Sequence, residues 1–478
     1  MSNGSKTDTA ANNGLDPQRP NLTAIKRFAY ASGDLGCCLA YSMINSFLNY
    51  FMTDVAMILP TIVGNVMLVS KIWDAVIDPF IGSMADHTNT RFGRYRPWVI
   101  GAALPMVILN VFAFTTSPDW SQNTRTFFAF GAYFASVTAY SCLNIPYSAM
   151  LSVVTIDGDM RAKMASARET GAMVGSLLLA IFAQRIVKWI QQSMGSEALG
   201  FQISTIIFGC IALPFFIFCF AGTKEVVKTE PTKEKYWSMY RTLKNNKPFL
   251  CITLFFVVWG FNSLGGGMKI YFFKYVAGKD LMYSNNMVIN TAAMIVGTSS
   301  LTFLIGKVKS KSHIMVVAAL ASAVFQSCNA FVDVKTTGGE ILYYCITACA
   351  GMCNGLNLAS MFAIQPDVTE YTRYNHGIYA AGFLSSFTNF CFQFGGALAT
   401  ASCNWILGGI GYVANVEQTP TVLTVLRYMP HLWPAFMMVL GAIVMSRYPL
   451  TKEVFAQITA KLDKGEYAPG VKPMSAAE

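Results

Sequence analysis

The sequence predicts an all-α polytopic membrane protein, and three observations lead to that fold class. Of the 478 residues, 54% are hydrophobic and only 13% are charged, whereas soluble domains carry roughly 25% charged residues. Long segments such as 98–114, 201–220 and 315–331 are nearly free of charge, and each approaches the ~20 residues that cross a bilayer as a helix. The residues midway along the chain are polar. An ordinary soluble protein is therefore excluded.

Apolar windows and the breaks between them give twelve candidate membrane spans. These are 28–53, 58–85, 97–117, 126–153, 164–184, 200–222, 249–275, 284–306, 313–332, 340–365, 377–404 and 428–447. The midpoint, residue 239, lies in the longest internal loop, so the arrangement is 6+6. We divide the chain into an amino-terminal tail (1–27), a first bundle of six helices (28–222), a central loop (223–247), a second bundle of six helices (248–447) and a carboxy-terminal tail (448–478).

The distribution of basic residues predicts the orientation. With the amino terminus in the cytoplasm, 26 of the 35 Lys and Arg residues fall on the inner side, 7 fall on the outer side, and Lys71 and Lys269 lie within spans. An excess of positive charge inside is typical of membrane proteins. We therefore expect a multi-pass protein of a bacterial inner membrane with both termini in the cytoplasm. Because this topology explains the net charge of +10, we expect no nucleic-acid partner.

Twelve helices in two sets of six predict the major facilitator superfamily fold, in which two halves rock around a site near the membrane midplane. The sequence has no G-x-x-x-x-G-K-[ST] loop, so it shows no machinery for ATP-driven pumping. Its 12 cysteines lie mostly in apolar segments, and neither they nor its 4 histidines have metal-ligand spacing. We expect no cofactor, no bound metal and no enzymatic activity.

The second span contains three charged residues on one helical face. At ~100° per residue, Asp74 lies about 60° and Asp78 about 20° from Lys71. Ionised groups in hydrocarbon cost at least a few kcal/mol each and need a partner or water. Two carboxylates one turn apart can coordinate a small cation or share a proton, and Lys71 can neutralise one of them. A purely structural ion-pair network is the alternative interpretation.

The loop after the second span combines Gly82, Asp86, Gly93 and Arg94 with further basic residues. The glycines suit tight turns, but a positive loop on the inner side would need only the arginines. The combination resembles the loop between the second and third helices of major facilitator carriers, where it helps to latch the cytoplasmic gate. We therefore predict that these four residues belong to the gate.

Nearly the full chain resembles the glycoside-pentoside-hexuronide cation symporters, the family of melibiose permease. The most specific signature is 73–98, and the supporting segments are 30–34, 50–54, 144–147, 161–168, 366–371 and 411–412. The resemblance implies coupled uptake of a sugar or glycoside, with Asp74 and Asp78 at the cation site and Asp54 nearby. Segments 119–121 and 411–420 most resemble the glucuronide carriers of this family.

Departures from melibiose permease decide the predicted coupling ion and substrate. Ile77 replaces an asparagine that helps to hold sodium, so a proton is favoured over sodium. Cys38 and Asn144 replace the two sugar-binding acids, while Arg168 is kept. The site would then be more positive and suit a hexuronide, because Arg can pair bidentately with a carboxylate. A neutral glycoside stays open, since Asn144 and Tyr147 can bind hydroxyl groups without charge.

Further polar residues extend the predicted substrate path. Asn45 and Asn49 are one turn apart on the first span and can bind sugar hydroxyls. In the eleventh span, Thr388, Asn389 and Gln393 are predicted to line the path of the sugar. For both sets, hydrogen bonding between helices is the alternative interpretation.

The sequence therefore predicts a secondary active transporter that takes up a glycoside, such as a glucuronide or pentoside, by cation-coupled symport and alternating access. The predicted cation-coupling residues are Asp74, Asp78, Asp54 and Lys71, and the predicted substrate contacts are Arg168, Asn144, Tyr147, Asn45, Asn49, Thr388, Asn389 and Gln393. A proton is the expected coupling ion, with sodium as the alternative. A lysolipid carrier of the same fold is the alternative function. The expected partners are the sugar and the lipid bilayer, and we expect a functional monomer.

Overall fold

A computed structural model describes residues 24–154, 158–225, 246–304, 308, 310–377 and 381–469. Its helices are α1 (Ala24–Tyr50), α2 (Pro60–His87), α3 (Arg96–Ala113), α4 (Gln122–Val154), α5 (Gly158–Met194), α6 (Glu197–Gly222), α7 (Lys247–Ala277), α8 (Leu281–Leu304), α9 (Lys311–Asn329), α10 (Thr337–His376), α11 (Ala381–Gly409), α12 (Pro420–Ser446) and α13 (Lys452–Asp463). A π-helical turn, Phe51–Val55, extends α1. The described residues are thus helical throughout their long elements, which confirms the all-α class.

Nine helices in the described ranges are long and apolar enough to cross a membrane, namely α2 to α7, α9, α10 and α12. The other three long helices, α1, α8 and α11, have 27, 24 and 29 residues. Even 24 residues extend about 36 Å, which exceeds the ~30 Å hydrocarbon core of a bilayer. The protein is therefore a multi-pass membrane protein, and the count of twelve crossings stays a prediction.

The long helices form two groups of six. In the first group, α1 packs against α5 and α6, and α3 packs against α4. In the second, α10 packs against α8 and α9, and α12 packs against α7 and α9. Small residues allow the closest approaches, as is usual between membrane helices: a Cβ on Gly171 would lie 2.6 Å from the Ala31 carbonyl oxygen, and one on Gly297 would lie 2.1 Å from that of Met352.

The two groups meet where α2 packs against α11 and α5 packs against α8. We call the end of the bundle that holds the start of α1 and the α2–α3 loop the amino-terminal face, and the end that holds the turn Phe51–Val55 and the α11–α12 loop the far face. Hydrogen bonds between the groups cluster at the far face, as between Asn404 Nδ2 and Asn49 Oδ1 (2.6 Å). The domain boundaries adjoin 1–23, 226–245 and 470–478, which lie outside the described residues, and they stay predictions.

Candidate cation and substrate sites

The predicted cation-coupling residues of α2 comprise the buried Asp74 and the half-buried Lys71 and Asp78. Lys71 Nζ is 3.3 Å from Asp74 Oδ2, and Ser141 of α4 donates a hydrogen bond to Asp74 Oδ1 at 2.8 Å. Asp74 is buried, and both of its carboxylate oxygens have partners. One turn further along α2, the buried Oδ1 of Asp78 has no hydrogen-bond partner in the described part of the chain. Asp78 is therefore the acid of this cluster with an oxygen left for a cation or a proton.

Asp54 lies apart from this cluster, which corrects its predicted place near the cation site. Asp74 follows the first residue of α2 by 14 residues, or about 20 Å along the helix axis, whereas Asp54 precedes α2 at the far face. The Asp54 carboxylate accepts hydrogen bonds from Lys274 Nζ at 2.8 Å, Tyr275 OH at 2.6 Å and Tyr412 OH at 2.9 Å. Its side chain is 0% exposed. Asp54 therefore joins the two groups of helices.

Asn415 completes this contact, which we call the far-face latch (Asp54, Lys274, Tyr275, Tyr412 and Asn415). The Asn415 backbone has φ of 60°, a left-handed conformation in which Asn is enriched among residues other than Gly. Its Nδ2 donates to the Asp54 carbonyl oxygen at 2.7 Å, and its Oδ1 accepts from Lys274 Nζ at 2.8 Å. Reasoning from the sequence missed Lys274, whose partners are more than 140 residues away in either direction along the chain.

Arg168 of α5 makes a salt bridge with Asp34 of α1. Its Nε is 3.0 Å from Asp34 Oδ2, its Nη1 donates to Ser148 Oγ at 3.1 Å, and its guanidinium lies 5.0 Å from the centre of the Tyr147 ring. Asp34 is buried. Because Asp34 neutralises Arg168, the expectation of a more positive site is corrected. The segment 30–34 contributed to the family resemblance, but nothing in the sequence linked its acid to Arg168.

Tyr147 is 0% exposed, so its predicted contact with substrate is corrected. Its ring stacks on that of Tyr30, with centroids 5.0 Å apart, and its hydroxyl donates to the Tyr30 carbonyl oxygen at 2.7 Å. Gly33 makes room for this stack, since a Cβ there would lie 2.4 Å from the Tyr147 ring. Tyr147 therefore packs α4 against α1 and supports Arg168.

Asn144 lies on α4 between the cation cluster and the salt bridge of Arg168. Ser141, Asn144 and Ser148 are spaced i, i+3 and i+7 and share one helical face. Ser141 binds Asp74, and Ser148 binds Arg168. The Oδ1 of Asn144 is buried without a hydrogen-bond partner among the residues described. This face of α4 therefore connects the two charged groups and offers an open acceptor between them.

Two asparagines of α1 differ in their surroundings. Asn45 is exposed, although its neighbours in α1 are mostly buried. Its predicted contact with substrate stays a prediction. Asn49 instead donates to Tyr271 OH at 3.3 Å and accepts from Asn404 at 2.6 Å. It therefore joins the halves, which corrects its predicted contact with substrate.

The three residues of α11 that are predicted to contact substrate also differ in their surroundings. Thr388 is buried, accepts from Gln365 Nε2 at 3.0 Å and donates to the backbone of its own helix. Its predicted contact with substrate is therefore corrected, since both roles of its hydroxyl are taken. Asn389 and Gln393 are exposed and share the helical face of Asn404, which contacts α1. Their predicted contacts with substrate stay predictions.

The predicted gate loop is held by Glu225, just after α6. The Glu225 carboxylate accepts backbone N–H bonds from Arg94 (2.7 Å), Tyr95 (2.8 Å) and Arg96 (2.9 Å). A carboxylate at this position satisfies free N–H groups at the start of α3 and interacts favourably with the helix dipole. The hydroxyl of Tyr95 also donates to Asp86 at 2.6 Å, while Gly82 lies half-buried on α2. The loop thus docks onto the end of α6, and reasoning from the sequence missed Glu225.

Replacing Gly93 with alanine is expected to lower the stability of the protein. Gly93 has φ of 114°, and a Cβ would lie 2.6 Å from the Glu225 carboxyl group. Such backbone strain costs roughly 1–3 kcal/mol, and displacing the carboxylate would break its three hydrogen bonds. Thermal unfolding in detergent measures the effect. Gly101→Ala is the matched control, because a Cβ there meets open space within α3; equal melting temperatures for both variants would contradict the argument.

Two six-helix groups with charged pairs inside the membrane are typical of a membrane transporter of the major facilitator fold. The family described as MFS/sugar transport protein matches residues 29–452, and the chain belongs to it. The nucleoside transporter NupG has a similar fold, with a TM-score of 0.61 and 14% sequence identity over 89% of this chain and 99% of NupG.

Three relatives make the membership more specific. The chain is 30% identical over 448 residues to YnaJ, an uncharacterized symporter of Bacillus subtilis strain 168, covering 92% of this chain and 95% of YnaJ. It is also 30% identical to the isoprimeverose transporter of Lactiplantibacillus pentosus, covering 89% of each chain. Identity to a glucuronide carrier protein homolog of Escherichia coli K12 is 26%, covering 91% and 94%. The resemblance to the glycoside-pentoside-hexuronide symporters is confirmed, and the chain is a transporter, not an enzyme.

Proposed function

We propose that this protein is a cation-coupled symporter of neutral glycosides or pentosides. The salt bridge between Asp34 and Arg168 (3.0 Å) carries this proposal. A substrate carboxylate that paired with Arg168 would displace Asp34 and leave that buried acid without its partner, which is costly. Sugar hydroxyls can instead donate to Asp34 and accept from Arg168 while the pair persists. Relatives include both an isoprimeverose transporter and a glucuronide carrier homolog, and the charge balance favours the neutral class.

The cluster on α2 supports the coupling part of the proposal. With both acids ionised, Lys71, Asp74 and Asp78 carry a net charge of about −1, so one bound cation neutralises the group. Ile77 offers no oxygen to a metal ion between the two acids, which favours a proton over sodium. The shared face of α4 then gives a direct physical link from this cluster to Asn144 and Arg168.

The closed far-face latch supports alternating access. We propose that the amino-terminal face is cytoplasmic, because 26 of the 35 basic residues fall on that side. A latch that is closed at the opposite face supports a state sealed toward the outside. One chain contains both halves and both charged groups, so the protein is proposed to act as a monomer in a bacterial inner membrane, with both termini in the cytoplasm.

The experiment that tests the function records pH in a lightly buffered, de-energised suspension of expressing cells. Xylosides, neutral hexosides and glucuronides are added in turn, with and without sodium. We expect alkalinisation with a neutral glycoside in the absence of sodium. A response to glucuronides alone would refute the neutral class. If the pH does not change but labelled sugar is taken up only with sodium, proton coupling is refuted. If no sugar is taken up at all, the lysolipid carrier is favoured.

Asp34→Asn is expected to change the charge preference of the transporter. Loss of a hydrogen bond to a charged group, worth roughly 1.5–3 kcal/mol, should weaken the apparent affinity for a neutral glycoside by about 10- to 100-fold. The same change frees Arg168, so glucuronide uptake should rise. Competition of unlabelled sugars against labelled uptake measures both effects. Asp119→Asn, at an exposed acid outside the helices, is the control; an unaltered preference in Asp34→Asn would contradict the argument.

A hexuronide is the second candidate substrate, and Lys269 favours it. Lys269 lies in α7 and is half-buried, and among the residues that the structure describes it makes no hydrogen bond or ion pair. An unpaired ammonium within a membrane span is costly unless a counter-ion or water compensates it, and a substrate carboxylate is one such partner. If the substrate is a hexuronide, Lys269→Met abolishes its uptake, whereas uptake of a neutral glycoside survives this change.

A further inference from the structure

A groove runs between α1 and α5 at the amino-terminal face of the first group of helices. Its volume is about 380 Å³. We define this α1–α5 groove by its lining residues, Ala24, Arg27, Phe28, Ala31, Ser32, Leu35, Lys163, Ala167, Thr170, Gly171 and Val174. The two helices approach closely beside the groove, since a Cβ on Gly171 would lie 2.6 Å from the Ala31 carbonyl oxygen. Nothing in the transport cycle proposed above uses this groove.

The walls of the α1–α5 groove are mainly apolar and lie on a different face of α5 from Arg168. Ala167, Gly171 and Val174 share one face of α5 at i, i+4 and i+7, and Arg168 is rotated about 100° from Ala167. Phe28 is 57% exposed and Val174 is 43% exposed. Exposed apolar side chains on the outside of a membrane bundle contact lipid. The groove is therefore open to the hydrocarbon of the bilayer.

Two basic side chains stand where this groove reaches the amino-terminal face. Arg27 is the fourth residue of α1 and Lys163 the sixth of α5, about 5 to 8 Å from the starts of their helices. Within the described ranges, neither side chain has a hydrogen bond or an ion pair, and Arg27 Nε is shielded from water without an acceptor. A shielded donor without an acceptor is unfavourable. The lining residues include no acid.

We propose that the α1–α5 groove binds one anionic glycerophospholipid. Its phosphate pairs with Arg27 and Lys163, and an acyl chain lies along Phe28, Leu35 and Val174. Basic pockets between membrane helices on the cytoplasmic side attract anionic headgroups. A zwitterionic lipid is a poorer match, because it would bring a third cation beside these two. The bound lipid would brace α1 against α5, the helices that carry Asp34 and Arg168 on other faces, and so stabilise that salt bridge.

Native mass spectrometry of the purified, delipidated full-length protein tests this proposal. The protein is titrated separately with phosphatidylglycerol and phosphatidylcholine of the same acyl chains. We expect one phosphatidylglycerol to bind with clear preference. Arg27→Ala combined with Lys163→Ala should weaken that binding by about 30-fold and leave binding of phosphatidylcholine unchanged. Equal binding of phosphatidylglycerol by wild type and this double variant would overturn the proposal.

Two further variants distinguish lipid binding in the groove from attraction of the lipid to general positive charge on the surface. Lys452→Ala combined with Lys464→Ala removes two exposed lysines in and just after α13, and we expect wild-type binding of phosphatidylglycerol. Ala167→Trp fills the groove without changing any charge, and we expect binding to fall as far as in the basic double variant. Undiminished binding of phosphatidylglycerol by Ala167→Trp would overturn the proposal. An equal loss of binding in the Arg27/Lys163 and Lys452/Lys464 double variants would also overturn it. Melting temperatures without lipid report whether each variant is folded.

The first 23 residues are the other conceivable occupant of the groove. Deleting residues 2–20 from the otherwise intact chain distinguishes the two cases. We expect the deletion to leave phosphatidylglycerol binding unchanged. An increase of tenfold or more would show that the tail competes for the groove, and the tail rather than a lipid would then be its occupant.

Discussion

Asp54→Asn is expected to open the far face and to move the transporter toward an outward-facing state. The Asp54 carboxylate is fully buried and accepts hydrogen bonds from Lys274, Tyr275 and Tyr412, all in the other half. Removing one partner of a buried ion pair costs roughly 3–5 kcal/mol, because the other charge is left uncompensated. The far-face equilibrium should therefore shift by at least about 100-fold toward the open form. Hydrogen–deuterium exchange measures this as faster exchange in residues 51–59 and 271–280.

Lys188→Ala is the matched control for this prediction. Lys188 pairs with Asp280 and also joins the two halves, but both side chains are about one-third exposed. Exposed ion pairs contribute only about 0–1 kcal/mol, so exchange at the far face should change by less than about fivefold. If Asp54→Asn and Lys188→Ala alter exchange equally, burial does not set the strength of the far-face latch. Transport should slow in Asp54→Asn, because a cycle requires the far face to close.

Asp74→Asn is expected to abolish accumulation of substrate against a gradient while exchange down a gradient continues. In the wild type, the cluster on α2 needs one cation to become neutral. In the variant, Lys71 and Asp78 already neutralise each other, so substrate can cross without a cation. The steady-state ratio of inside to outside substrate should fall to about 1. Labelled uptake into proteoliposomes with an imposed proton gradient measures this ratio.

A second substitution in the same cluster makes the test of charge balance sharper. Lys71→Met combined with Asp74→Asn leaves Asp78 as the remaining charge, which restores the net charge of about −1. We expect this double variant to regain part of the cation-dependent accumulation, although Asp74 is still absent. Asp119→Asn, outside the helices, should accumulate substrate like the wild type. Intact accumulation in Asp74→Asn alone would remove Asp74 from the coupling site.

The sequence was most informative where a function depends on residues of one helix. The spacing of Lys71, Asp74 and Asp78 places them on one face of α2 whatever surrounds that helix, because 3.6 residues per turn fixes their angles. The structure indeed pairs Lys71 with Asp74. Such predictions succeed because the geometry within a helix is local.

Predictions failed where a side chain had to choose among partners on other helices. Asp34 and Arg168 are 134 residues apart in sequence, and their pairing follows from the packing of α1 against α5. Thr388 carries a hydroxyl that could serve a sugar equally well, but Gln365 of α10 occupies it. The hydroxyl of Tyr147 is likewise occupied, because it donates a hydrogen bond to the Tyr30 carbonyl oxygen of α1. A polar residue in a membrane must find a partner, and the sequence does not say which one.

The sequence by itself determined that this chain is a polytopic helical membrane protein, that it belongs with the glycoside-pentoside-hexuronide symporters, and that α2 carries a group of three charges. Composition and helical periodicity suffice for this, because the bilayer permits few architectures for so apolar a chain. Only the tertiary structure decided that Asp54 closes the far face and that Asp34 neutralises Arg168. Both pairings cross between helices, and the charge that each residue presents to a substrate depends on the partner that packing supplies.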